Sequence, residues 1–225
     1  LSKTTKTQPL SIFYLLLWMF CIAAALGTHH FWETQEHSGP FGELRDLSNL
    51  VSSVVVGTII MGTIVLSQRW AADDVPKLEP GHWIIILSSL QVILFQPLTW
   101  ASNELMSSTS SAQLVQAACA LLPLAASAVA VVKVSYWRWK IVFVLYLVYW
   151  FLVMTCYLLV PTGYMPLSVA LERAYSLIPL VLAMAVIVAI SVEIGMVVRR
   201  DWLHWAGVAT VLANILTVTL WRVGL

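Results

Sequence analysis

Along this chain, polar positions punctuate apolar runs rather than alternating with them. From residue 9 onward, runs of about twenty apolar residues are separated by short breaks of charge, Pro, Gly and Ser. Seven runs can be counted, at 9–28, 48–68, 83–101, 112–133, 139–160, 175–198 and 202–222. At about 1.5 Å per residue, each is long enough to carry a helix across roughly 30 Å of hydrocarbon. The pattern therefore predicts an all-α fold: a polytopic transmembrane bundle of seven spans, forming one domain over residues 1–225. Pro97, Pro123 and Pro179 fall inside predicted helices, which lipid-embedded helices tolerate when neighbours re-satisfy the freed carbonyls. The third run is the most diluted, by Gln91, Gln96 and Pro97. Ser107 to Ser111 makes a polar break before the fourth, whose first turns hold Gln113 and Gln116. No longer repeat is present, and no stretch is polar enough to form a separate soluble domain.

Basic residues orient the predicted spans. One side receives Lys3, Lys6, Arg69, Lys77, Lys133, Arg138, Lys140, Arg199 and Arg200; the other receives Arg45, Arg173 and Arg222. This bias places the N-terminus inside and the C-terminus outside. Tryptophans mark the expected interfaces. Trp32, Trp70, Trp83, Trp100, Trp137, Trp139, Trp202, Trp205 and Trp221 lie near helix ends, where the ring suits the headgroup layer, while Trp18 and Trp150 read as packing residues. Glu193 is the acidic residue clearly within a span, and snorkelling toward Arg199 and Arg200 would pair it. Glu104 reads as interfacial. Asn214, Gln91 and Gln96 are candidates for interhelical hydrogen bonds.

Composition fixes the class. Hydrophobic residues make up 60% and charged residues 10%, against about 25% charged in a soluble domain. The mean hydropathy is +0.87. A net charge of +1 implies no polyanionic partner, so nucleic acid is not expected. The expected partners are the lipid bilayer and other membrane subunits, and the expected location is the bacterial inner membrane. Cys21, Cys119 and Cys156 all fall in apolar runs and form neither a disulfide framework nor a CxxC site. The first run lacks a small-residue cleavage site and reads as a retained helix. The opening Leu is expected either from an unusual start codon or from a piece of a longer chain.

Candidate chemistry is densest after the first run, in THHFWETQEHSGPFGELRD, with His29, His30, Glu33, Glu36 and His37. Imidazoles suit Zn, Cu, Fe or Ni, and a carboxylate can complete such a site. No Cys joins them, so the spacing is not that of a structural zinc site. The bland alternative is two polar residues leaving the membrane. Neighbours on a helix point about 100° apart, so His29 and His30 can share a metal only if the helix unwinds. Gly27 would permit that, and the first helix is expected to end at or before Thr28.

Leu10-Ser11, Trp18 and Gly27-Thr28-His29-His30-Phe31-Trp32 together resemble the seventh helix of haem-copper oxidase catalytic subunits. The nearest forms are the nitric oxide reductase and C-type oxidase branches. The resemblance implies that His29 and His30 ligate a non-haem metal, copper or iron, with His37 or Glu33 as supplements. It covers the chain as the family's seventh to twelfth helices plus one. Three departures accompany it. The family's haem-ligating His-x-His pair would fall on Ala112 to Lys133, which has no histidine, and a redox tyrosine is replaced by Ala23 to Ala25. The helices supplying the other ligands precede this segment in the family. The resemblance thus implies a degenerate or split subunit of a respiratory complex, with no haem of its own. The rival expectation is a non-enzymatic bundle, transporter-like or sensory, without a metal site. In it, Gly57, Gly62 and other small residues serve close helix packing.

Overall fold

The computed structural model describes residues 12–33, 42–71, 78–105, 109–159, 165–196 and 200–223. These are helical apart from short connections and include no strand. In chain order the helices are α1 (Ile12–Glu33), α2 (Gly42–Ala71), α3 (Pro80–Ser89), α4 (Gln96–Leu105), α5 (Thr109–Lys133), α6 (Trp137–Leu159), α7 (Met165–Gly195) and α8 (Trp202–Val223). A π-helical segment, Leu90–Phe95, joins α3 to α4. The described residues of the seven apolar runs are helical, apart from the turn at Met196. Five stretches are long and apolar enough to cross a membrane: Leu47–Ala71, Pro80–Asn103, Ser110–Lys133, Trp137–Leu159 and Leu177–Gly195. Ile12–Gly27 is a shorter apolar helix. This is the fold of an integral membrane protein.

Three departures from the sequence expectation have physical causes. The third run is not one regular helix. Pro97 has no N–H to donate, and its ring crowds the preceding turn. Just before it the backbone widens, and the Gln96 N–H reaches back five residues to the Gln91 carbonyl. The first helix does not end at Thr28 but continues to Glu33. Gly27 costs a helix interior only about 1 kcal/mol relative to Ala, and nothing in the following six residues breaks the helix. Trp139, expected at the headgroups, is instead 1% exposed. It begins a buried stripe of α6 with Val142, Phe143, Tyr146, Trp150 and Val153, the three-and-four spacing of one helix face.

The chain forms two compact units, Ile86–Val197 and the remainder, Leu1–Ile85 with Val198–Leu225. In the continuous unit, α5 packs on α6 and α6 on α7. Trp150 is buried against Phe95, edge to face at 5.1 Å, as a packing residue should be. Gln116 on α5 donates to the Ser102 hydroxyl at 3.2 Å and to the Asn103 carbonyl oxygen at 2.8 Å on α4. Glu193 is 4% exposed and accepts from Trp139 Nε1 at 2.9 Å. Of the partners expected for Glu193, Arg199 lies outside the described residues.

In the discontinuous unit, α2 packs on both α1 and α8. A Cβ on Gly57 would stand 2.7 Å from the Ile22 backbone nitrogen, so α1 and α2 meet where one side chain is missing. One turn away, Trp18 Nε1 donates to Thr58 Oγ1 at 2.9 Å. Gly62 in the same way makes room for Ile85. Asn214, a candidate for interhelical bonding, is exposed.

Candidate functional site

Two helices of the discontinuous unit begin against each other with the same local grammar. Glu79-Pro80-Gly81-His82 opens α3, and Asp201-Trp202-Leu203-His204 opens α8. In each, an acid stands at the N-cap and a histidine three residues later. The Glu79 carbonyl accepts from the N–H groups of His82 and Trp83 at 3.0 and 3.3 Å. Pro80 sits at the first helical position, where its missing N–H costs nothing. His82 Nδ1 reaches back to accept the Glu79 N–H at 3.2 Å, closing a capping box in which imidazole replaces the usual Glu or Gln. At the other helix, Asp201 Oδ1 accepts the His204 N–H at 2.8 Å, an ordinary N-cap.

The two termini then complete each other. The Gly81 N–H, an orphan of the first turn of α3, donates to His204 Nδ1 at 3.0 Å. His82 Nε2 lies 3.0 and 3.1 Å from the two oxygens of Asp201. Because Nδ1 of His82 accepts, the ring proton is on Nε2, and that N–H donates to Asp201. The same reasoning places the proton of His204 on its Nε2. Backbones touch here: a Cβ on Gly81 would overlap the backbone of His204, and one on Gly207 would overlap the Gly81 carbonyl. Only glycine at both positions permits this crossing.

Cations and carboxylates fill the rest. Arg69, from the last turn of α2, donates to Asp201 Oδ2 at 2.8 Å. Arg200 NH1 stands 4.0 Å from Glu79 Oε1, and His204 Nδ1 stands 3.8 Å from Glu79 Oε2. Burial pushes both carboxyls up. For Asp201, hydrogen bonds from His82, from Arg69 and from the His204 N–H outweigh burial and hold it well below the usual carboxylate range. For Glu79, burial and the neighbouring Asp201 charge prevail over Arg200 and the imidazoles, and it stays raised.

An oxygen of Glu79, a ring nitrogen of His82 and an oxygen of Asp201 lie within 4.8 Å of one another, a spacing a metal ion could use. The hydrogen bonds argue against it. Both nitrogens of His82 are engaged, one lone pair by the Glu79 N–H and one proton by Asp201. Arg69 already neutralises Asp201. The donor set as folded is a hydrogen-bonded network in which, among the described residues, Glu79 Oε2 has no hydrogen-bond partner.

This site is built from other residues than the candidate ligands His29, His30, Glu33 and His37. The backbone of α1 is helical through His29, His30 and Glu33, so the unwinding that a shared metal requires is not seen. The side chains of those three, and all of His37, lie outside the described residues. Sequence reasoning missed His82 and His204; the available signal was an acid and a histidine at capping-box spacing, twice, each before an apolar run. No protein-family model, curated protein or solved structure matches this chain.

Proposed function

We propose that this chain is a non-enzymatic multi-pass membrane protein, transporter-like or sensory, with the cluster at the starts of α3 and α8 as its working site. One observation carries the reading. Ionisable groups from three helices meet at helix ends, with His82 and His204 buried and Arg69, Asp201 and Glu79 only partly exposed. Buried charge in a membrane protein is costly, and it concentrates where a solute, an ion or a proton is handled. In this reading all seven runs span the bilayer, the N-terminus is cytoplasmic, and Arg69, Arg200 and the cluster lie toward the inner surface.

The test is reconstitution of the full chain into liposomes loaded with a pH-sensitive dye. A pH gradient that dissipates faster than in empty vesicles, but not with H82A, is the transporter result. A pH-dependent pattern of protease accessibility without faster dissipation is the sensor result. If neither appears, or H82A behaves as wild type throughout, the reading fails.

The respiratory-subunit reading is a separate proposal that draws on the α1 sequence and not on this cluster. It assigns copper or non-haem iron to His29 and His30 of a split subunit. An optical spectrum and metal analysis of the chain purified with its membrane partners test it; absence of stoichiometric copper and iron would overturn it.

A further inference from the structure

We infer that Glu79 is the proton-binding group of this cluster, taking up a proton while Asp201 beside it stays ionised. The inference rests on the cluster being the working site, and it names the ligand of that site as a proton. It starts from an asymmetry between two carboxylates with oxygens within 4.8 Å of each other. Asp201 receives donors from His82, Arg69 and the His204 N–H. Glu79 Oε2 is buried with no hydrogen-bond partner among the described residues, and Oε1 is 4.0 Å from Arg200, beyond hydrogen-bond reach. Two carboxylates this close resist ionising together, and the proton goes to the one with fewer donors.

Both histidines already use Nδ1 to accept a backbone N–H. A second proton on His82 would have to enter at Nδ1, which holds the Glu79 N–H. On His204 it would enter at Nδ1, which holds the Gly81 N–H. Either event would place two N–H groups face to face and undo the first turn of α3. Among the described residues, the charged and titratable groups facing Glu79 are thus His82 from α3, Arg200 and Asp201 ahead of α8, His204 from α8 and, through Asp201, Arg69 from α2. The step is a simple exchange with water: the carboxylate gains a proton, the local charge rises by one, and the attraction to Arg200 is lost. The raised position of Glu79 and the lowered one of Asp201 agree with this order.

Infrared difference spectra of the full chain in lipid, recorded across a pH titration, test it. A carboxylic acid C=O band should appear on acidification with a midpoint above the ordinary glutamate value, and E79Q should abolish it. R200Q should move the midpoint up by about one unit, and D201N, which can still cap the helix, should move it down. A purely structural Glu79 would give no such opposed shifts. A band that survives E79Q, or a midpoint unmoved by both R200Q and D201N, overturns the inference. Failure of the liposome assay with these spectra intact would remove transport and sensing but leave proton binding by Glu79 standing.

Discussion

Opposite protonation behaviour at two residues makes stability bend both ways with pH. The folded-state pKa of Asp201 is lowered, so its contribution is present above the ordinary aspartate value of about 3.9 and is lost as pH falls below it. Glu79 is raised, so its contribution is present below the ordinary glutamate value of about 4.3 and is lost as pH rises through its folded value. Melting temperature against pH in detergent should show an acid limb that flattens in D201N. The decline on the other side should flatten in E79Q. Parallel curves for D201N and wild type down to the lowest pH would mean that Asp201 is not the group being discharged. At this scale little of the site was legible. Capping chemistry at Glu79-Pro80-Gly81-His82 is local and can be read, but the bonds that join it to α8 link residues 119 and 123 apart. Nothing in apolar periodicity says which helix ends meet, and the eye is drawn to the adjacent pair His29–His30 instead.

Helix elements follow the apolar runs closely because in lipid a backbone must satisfy itself, leaving a long apolar run few alternatives to helix. What the runs did not carry is how helices deform and which face they bury. The π segment before Pro97 depends on one missing donor, and the burial of Trp139 depends on a stripe shared with five other α6 residues. Small residues were legible as packing sites, and Gly57 shows the geometry behind them. In G57A the added carbon would meet the nitrogen and Cα of Ile22 at 2.7 and 2.8 Å, too close for any Cβ. Backbone atoms cannot rotate away, so α1 must shift on α2, at a cost of about 1–3 kcal/mol. Thermal unfolding of G57A in detergent should show a clear loss, whereas G27A, with nothing within 4 Å of its added carbon, should show none. Equal melting of the two variants would mean that the α1–α2 contact is not as close as described.

For the whole molecule, the seven-span proposal makes a simple demand on topology. A reporter fused after Leu225 should be non-cytoplasmic and one placed near Asp73 cytoplasmic; both on one side would sink the seven-span count. The division into units has a consequence for biogenesis. Residues 86–197 form a continuous unit, but the other unit is assembled from segments on either side of it. Arg69 and His82 leave the ribosome well over a hundred residues before the Asp201 that they bind. Until α8 is made, a cation and a hydrogen-bonding imidazole lack the carboxylate that they bind in the finished fold. A nascent chain halted before residue 198 therefore displays an unfinished polar end, a feature by which membrane quality control could tell incomplete chains from finished ones.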